Sequence, residues 1–221
     1  QFLNVLNTAP GSPGDWAAAP FLDGPDTDSA FFYRTSRVEY LGTTTIALGS
    51  SSTANQPRDT RRYDIRPIGY TAPSASIGIY SVHMKAQGGT NSSGRRLIEA
   101  QRIRQNAAGI DTNGPGTALP AGYAFMVAGD LNAQSSSESF YVEDVGSQPN
   151  NAGRFFDPIS TPGSWNNNST FRFIHTQDPA VQMDDRHDQI LVGGSLVDAA
   201  GLDYIGAFGT PWNLSTFADP N

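Results

Sequence analysis

A strand–helix–strand unit in the middle of the chain constrains the fold more than any other part of the sequence. Residues 76–83 are rich in isoleucine, tyrosine and valine, and residues 126–132 continue an apolar run; both patterns are typical of strands. Residues 94–110 place apolar side chains on one helical face, with Ser92 or Ser93 available as the N-cap. A helix of this length can connect parallel strands, so the sequence predicts a crossover with its helix packed on a sheet.

Further elements are predicted on both sides of this unit, and they indicate an α/β chain in which strands dominate. We expect a hairpin from residues 31–34 and 37–48, a helix at 137–145, and strands at 61–70, 170–174 and 187–192. Pro67 cannot donate a ladder hydrogen bond, which would place its strand at a sheet edge or on a bulge. The predicted organisation is a single domain over residues 1–221, with sheets packed face to face and helices outside.

Composition excludes several classes of protein. The net charge is −7, from 14 Lys and Arg against 21 Asp and Glu, which argues against a protein that coats nucleic acid through its phosphates. The chain has no cysteine, so disulfides, thiolate nucleophiles and cysteine-ligated zinc are excluded. No apolar run approaches the ~20 residues of a membrane span. The single lysine, Lys85, and the many Gly and Pro residues indicate a secreted bacterial protein.

The sequence Gly-Asp-Leu-Asn at residues 129–132 is the first candidate functional motif, because it directly follows a predicted core strand. Residues two apart on an extended chain point to the same side, so Asp130 and Asn132 would face one ligand together. The carboxylate could hold a hard cation or orient a water molecule, and the amide could donate to an oxyanion. Asp and Asn beside Gly also form turns that close on their own backbone, and the motif alone leaves both interpretations open.

Two other segments, 81–85 and 185–191, carry polar groups next to predicted strands. A histidine on a strand is often structural, but the neighbours of His83 favour a functional role. Asp188 is either a functional carboxylate or a surface charge. The cations beside these two residues are Lys85 and Arg186.

Asp64 is a candidate acidic partner of His83. A carboxylate in that position would fix the tautomer of the imidazole. An ordinary salt bridge with Arg62 or Arg66 explains Asp64 equally well, and the sequence does not choose between the two interpretations.

Together these motifs resemble the endonuclease/exonuclease/phosphatase superfamily, the DNase I-like phosphoesterases, over roughly residues 31–192. Residues 129–132 are similar to the family's Gly-Asp-Phe/Leu-Asn motif, in which the Asp positions the attacking water or a metal and the Asn contacts the scissile phosphate. Residues 81–85 resemble the strand with the first catalytic histidine. Residues 186–191 resemble the strand whose Asp orients a second catalytic histidine. The resemblance implies a DNase I-like sandwich of two mainly antiparallel β-sheets flanked by helices.

The resemblance also implies the composition of a site. The catalytic residues would be His83, Asp130, Asn132 and Asp188, with Asp130 also a ligand of Mg²⁺, Mn²⁺ or Ca²⁺. The supporting residues would be Asp64, Arg62, Lys85 and Arg186. The family's N-terminal Asn and Gln-Glu motif and its closing histidine motif have no counterpart in the sequence, so we expect the chain to be the middle of a family domain, truncated at both ends.

We therefore expect a divalent-metal-dependent phosphoesterase that hydrolyses phosphodiester bonds, with a secreted, DNase I-like bacterial nuclease as the leading hypothesis. One alternative keeps the fold and changes the substrate to a phospholipid, an inositol phosphate or a sugar phosphate. An exposed apolar element near the cleft would favour lipid, and a basic groove would favour nucleic acid. The other alternative is a catalytically incomplete, non-enzymatic module for binding or assembly.

Overall fold

The fold is built on one six-stranded mixed sheet with two helices packed against one face. A computed structural model describes residues 1–110, 115–175 and 184–205. Its helices are α1 (Phe2–Thr8), α2 (Thr90–Ala107) and α3 (Ser139–Val145). Its strands are β1 (Trp16–Ala18), β2 (Phe32–Arg34), β3 (Val38–Ala47), β4 (Thr60–Pro67), β5 (Ile77–His83), β6 (Ala124–Asp130), β7 (Phe155–Phe156) and β8 (Asp188–Gly193). Short 3-10 helices lie at Pro73–Ala75, Ser169–Phe171 and Gly194–Leu196.

The order of strands in the large sheet is β3-β4-β5-β6-β8-β7. Strands β5 and β6 pair in parallel, and the other neighbours in this sheet pair antiparallel. Helix α2 connects the parallel pair, which confirms the predicted crossover. The prediction of an α/β fold with mainly antiparallel strands is also confirmed.

The main core lies between the sheet and the helices α2 and α3. Alternate residues of the central strands point into it, which is the period of an extended chain. Each buried side chain of this kind contributes about 1.5–3 kcal/mol through removal of apolar surface from water. The core includes Tyr80, Val82, Phe125, Val127 and Leu191 from the sheet, Ile103 and Ala107 from α2, and Phe140 from α3.

The opposite face of the sheet is covered in part. A second, two-stranded sheet, β1 with β2, lies over its β3–β4 side, where Phe31 stacks on the buried Tyr63 with ring centroids 4.7 Å apart. At the β6–β8 side a smaller apolar cluster forms around Ala124, Val192 and Leu196. The side chains of β5, β6 and β8 that project from this face include those of the candidate site.

Helix α2 begins earlier than predicted. Its first residue is Thr90 and its N-cap is Gly89, whose φ of 89° suits glycine, so the prediction of Ser92 or Ser93 as the N-cap is wrong. The first turn of α2 is polar, and the apolar periodicity from which the start was predicted begins only in the second turn. The predicted helix at 137–145 is confirmed as α3.

Two other local predictions are wrong. The strands β2 and β3 exist, but β2 pairs with β1 and β3 pairs with β4, so they do not form a hairpin with each other. The predicted strand at 170–174 is replaced by the 3-10 helix Ser169–Phe171, because the side-chain oxygen of Asn168 accepts from the Thr170 N–H at 3.2 Å and starts a turn.

Strand β4 is also placed differently from the prediction. It lies inside the sheet, between β3 and β5, rather than at an edge. Pro67 is tolerated because it is the last residue of the strand, beyond the β4–β5 pairing. No helix within the described ranges is long and apolar enough to cross a membrane.

Candidate active site

Three of the predicted site residues lie in one row across neighbouring strands. In the parallel pair β5–β6, His83 is opposite Asp130, and in the antiparallel pair β6–β8, Asp130 is opposite Asp188. The alternation of each strand places all three side chains on the face opposite α2. The crossover and the return of β8 therefore bring together residues that are far apart in sequence.

His83 and Asp130 are close enough to act on one ligand. His83 Nε2 lies 3.5 Å from Asp130 Oδ2, and the two side chains are 38% and 26% exposed. Asp188 is exposed at the first position of β8. Solvent and a ligand can therefore reach these groups from outside the sheet.

The Gly-Asp-Leu-Asn turn uses one oxygen of Asp130 for its own backbone. Asp130 Oδ1 accepts from the Asn132 N–H at 2.8 Å, and Asn132 has a left-handed φ of 49°. Gly129 is required here, since an added Cβ would lie 2.1 Å from the Val82 carbonyl oxygen. Asp130 Oδ1 therefore closes a turn on its own backbone, as one of the two interpretations predicted. Asp130 Oδ2 faces His83 instead.

Asn132 is bonded within the protein. Its side chain is almost fully buried, and its Nδ2 donates to the Met84 carbonyl at 3.1 Å. The strand alternation from which a shared orientation with Asp130 was predicted does not extend to Asn132, because β6 ends at Asp130. Asn132 connects its own turn to the segment that follows His83, and its role as an oxyanion donor stays a prediction.

Asp64 does not lie beside His83. Arg62 donates to both of its oxygens, from Nε at 2.8 Å and from Nη2 at 3.1 Å, and Arg62 also donates to Asn106 of α2 at 2.7 Å. These contacts place Asp64 on the helix-covered face, so its prediction as the acidic partner of His83 is wrong and the salt-bridge interpretation is correct. Asp130 is the carboxylate that neighbours His83.

Arg186 is buried in an ion pair away from solvent. Its Nη1 and Nη2 donate to the two oxygens of Asp157 at 2.9 and 2.8 Å, and its guanidinium lies 4.7 Å from the ring centroid of Trp165. Burial alone would raise the pKa of Asp157, but the hydrogen bonds and charge of Arg186, with a hydrogen bond from Tyr141, lower it. This pair holds together the segments around β8, which makes Arg186 a structural support.

Lys85 is half-buried, and its Nζ donates to the Ala86 carbonyl at 2.8 Å. The loop after Lys85 is bonded to α2, because Arg96 of this helix donates to the Gln87 carbonyl at 2.9 Å. Arg96 also forms an ion pair with Glu138. Glu138 accepts from the Gln134 N–H at 3.1 Å. The loops that follow the His83 and Asp130 strands are therefore clamped to each other by one buried ion pair.

The described residues do not form a complete metal site. Asp130 and Asp188 supply the oxygen ligands that Mg²⁺ prefers. Within residues 1–110, 115–175 and 184–205, however, no group of three His, Cys, Asp or Glu side chains is placed to hold a metal ion. The carboxylates suit a hard cation chemically, but these residues alone do not enclose one.

A cavity of about 640 Å³ adjoins Asp188. It is lined by residues of β6 and β8, by residues 158–159 and 173–175, and by Tyr204. Its lining is mainly apolar and includes Met126, Ala128, Ile174, Ile190 and Val192. The exposed carboxylate of the site is thus next to a surface that suits an apolar group.

Comparisons with solved structures define the fold. No model of a known protein family matches the sequence, and no curated protein matches it. An endonuclease/exonuclease/phosphatase family protein from Bacteroides thetaiotaomicron aligns with 87% of this chain and 66% of its own, at 16% identity and a TM-score of 0.53. A mannosyl-6-phosphatase from the same organism aligns with 88% of this chain and 68% of its own, at 18% identity and a TM-score of 0.53.

A third structure, TDP2 from D. rerio humanized by 14 mutations, aligns with 86% of this chain and 64% of its own, at 16% identity and a TM-score of 0.50. The chain therefore has the endonuclease/exonuclease/phosphatase, or DNase I-like, fold. It spans about two thirds of the length of these three structures.

Proposed function

We propose that this chain belongs to a phosphoesterase that hydrolyses phosphodiester bonds, with nucleic acid as the leading substrate and a divalent cation, Mg²⁺ or Mn²⁺, as the cofactor. The observation that carries the proposal is the row of His83, Asp130 and Asp188 at the ends of three neighbouring strands. The likeness in fold to a mannosyl-6-phosphatase and to endonuclease/exonuclease/phosphatase proteins supports phosphoester chemistry.

The chemistry proposed for these side chains follows from their positions. Asp130 Oδ2, which is not used by the turn, orients a water molecule and accepts its proton as the water attacks phosphorus. The ester P–O bond breaks as the new P–O bond forms, and the leaving alkoxide takes a proton from solvent water. His83, 3.5 Å away, donates a hydrogen bond to a phosphate oxygen and stabilises the charge that develops there. Asp188, which lies opposite Asp130 on the neighbouring strand β8, supplies a second, exposed carboxylate. A bound divalent cation would neutralise the charge of the phosphate.

The test compares the wild-type protein with Asp130→Asn and Asp198→Asn. The first variant keeps the oxygen that accepts from Asn132 and removes the charge. The second is a matched control, because Asp198 also accepts a backbone N–H two residues along, from Ala200 at 2.9 Å, in an exposed segment outside the site. Hydrolysis of plasmid DNA and of bis(p-nitrophenyl) phosphate is measured with Mg²⁺, with Mn²⁺ and with EDTA.

We expect metal-dependent hydrolysis that Asp130→Asn lowers by ~10²–10⁴-fold and Asp198→Asn leaves unchanged. Equal activity of all three proteins would overturn the role of Asp130. No hydrolysis by the wild-type protein with either metal would overturn the proposal and favour the non-enzymatic binding module.

A second candidate function is hydrolysis of a phospholipid, and the apolar cavity beside Asp188 favours it. A lipid phosphodiester would place its phosphate near Asp130 and its acyl chain against Ala128 and Ile190. Nucleic acid carries no alkyl chain to occupy it. Secretion from a bacterium also belongs to the proposal, and its support is the composition, with Lys85 the single lysine of the sequence.

A further inference from the structure

Arg58, in the polar loop between β3 and β4, contacts the backbone at the end of the strand that carries His83. Its Nη1 donates to the His83 carbonyl at 3.2 Å and to the Met84 carbonyl at 2.8 Å. Its Nε lies 2.9 Å from Asp26 Oδ2, at ion-pair distance although the N–H does not point at the oxygen. The side chain of Arg58 is only 13% exposed.

The backbone N–H and carbonyl of Met84 connect the two candidate motifs, residues 81–85 and residues 129–132. Its N–H donates to the Asp130 carbonyl at 2.8 Å, which extends the β5–β6 pairing by one bond. Its carbonyl accepts from Asn132 Nδ2 at 3.1 Å as well as from Arg58. Met84 itself is fully buried, so water cannot replace a lost donor without opening the structure.

Hydrogen bonds from a charged donor are shorter and about twice as strong as those between neutral groups. Arg58 therefore makes the firmest contact to this carbonyl, and Asn132 shares the acceptor. The neighbouring His83 carbonyl is held by the same nitrogen. Loss of Arg58 would leave the carbonyl of His83, the residue whose imidazole faces Asp130, without this charged donor.

We infer that Arg58 is a positioning residue, which holds the His83 backbone and the Asn132 side chain in register and thereby sets the separation of His83 and Asp130. This inference rests on the proposed function for its catalytic consequence, but not for the geometry itself. Among the described residues, Arg58 donates hydrogen bonds to the His83 and Met84 carbonyls and to neither the imidazole of His83 nor the carboxylate of Asp130, so it acts through the backbone.

The same loop offers a matched control. Arg102 of α2 donates to Asn55 Oδ1 at 2.7 Å and to Gln56 Oε1 at 3.1 Å, so it anchors the loop that contains Arg58. Within the described part of the chain, its hydrogen bonds do not reach the backbone at the end of β5. Arg102→Met removes the same charge and loosens the same loop without removing the contacts to His83 and Met84.

The experiment compares Arg58→Met, Arg58→Lys and Arg102→Met with the wild-type protein. Hydrogen exchange of the Met84 amide and the ring resonances of His83 report the geometry by NMR, without any need for activity. The values of kcat and KM for bis(p-nitrophenyl) phosphate report its consequence. Arg58→Lys, which keeps a charged donor, also provides a folded variant if Arg58→Met does not fold.

We expect Arg58→Met to shift the His83 resonances, to speed exchange at Met84 by about tenfold or more, and to lower kcat by ~10–10²-fold with KM within about twofold. Arg58→Lys should recover part of each effect, and Arg102→Met should leave the His83 resonances and kcat as in the wild-type protein. Unchanged His83 and Met84 signals in Arg58→Met and Arg58→Lys, or the same changes in Arg102→Met, would overturn the inference. An inactive wild-type protein with the expected NMR changes would overturn only the proposed function.

Discussion

His83 Nε2 and Asp130 Oδ2 lie 3.5 Å apart at the ends of two parallel strands. The distance is longer than a good hydrogen bond, and both groups are partly open to solvent. Neither side chain is therefore committed to the other, and a phosphate oxygen or a water molecule can contact both. The two residues lie opposite each other because the parallel register of β5 and β6 pairs His83 with Asp130.

Gly129→Ala should unfold or strongly destabilise the turn beside this pair. The new Cβ would lie 2.1 Å from the Val82 carbonyl oxygen, and the φ of 140° is unfavourable for alanine. Backbone strain and overpacking together predict a loss of about 2–6 kcal/mol in the free energy of unfolding. Gly109→Ala, at a φ of 76° with nothing within 4 Å, is the control and should lose about 1–3 kcal/mol. Chemical denaturation measures both, and equal losses would contradict the clash.

Arg186→Met should lower stability much more than Arg66→Met. Arg186 forms two hydrogen bonds with the buried Asp157, and removal of one partner of a buried ion pair typically costs about 3–5 kcal/mol. Arg66 pairs with the exposed Glu39, where a loss of about 0–1 kcal/mol is expected. A similar loss for the two variants, measured by urea unfolding, would show that Arg186 is not the structural support described above.

Glu99 should make the protein less stable as the pH rises. Burial is the main cause that raises the pKa of Glu99 to about 8 in the folded state, against 4.5 for an ordinary glutamate. The folded state therefore holds a proton that the unfolded state has released between these values, so stability falls from about pH 4.5 to pH 8. Glu99→Gln, which cannot ionise, should show a shallower decline in melting temperature over this interval. Glu39→Gln, at an exposed position, controls for the lost charge, and identical pH profiles for Glu99→Gln and the wild-type protein would contradict the prediction.

Ala128→Leu should separate the two candidate substrates. Ala128 lines the apolar cavity, whereas its cross-strand neighbour Ser81 does not, so Ser81→Leu is the matched control on the same face of the sheet. If an acyl chain occupies the cavity, Ala128→Leu lowers kcat/KM for a phospholipid by ~10-fold or more and spares plasmid DNA. Equal effects of the two variants on the phospholipid would exclude the cavity as its binding site.

Periodicity was sufficient to predict the crossover and the strands that carry His83, Asp130 and Asp188. The alternation of β4 was also visible in the sequence, but alternation does not say which face of a strand meets the helices. Arg62 and Asp64 lie on the helix-covered face, which the sequence alone does not show, and for that reason it left both partners of Asp64 open.

The role of Arg58 could not be predicted from any pattern in the sequence. It belongs to a polar loop without periodicity, and its acceptors are main-chain carbonyls, which every residue has. Asn132 shows a related limit, since its left-handed backbone lies two residues after Asp130, where the strand ends. Contacts to backbone groups and departures from regular geometry become visible only when the chain is folded.

The parallel pairing of β5 and β6 has a consequence for how the site is assembled. Parallel strands cannot be joined by a tight turn, so the segment that contains α2 must cross over before His83 and Asp130 can meet. Such long-range pairings form slowly because closure of the connecting loop precedes the contacts that stabilise it. During synthesis, a chain that has emerged only as far as α2 carries the histidine without its carboxylate. The pairing that brings the candidate site together would therefore form late in folding.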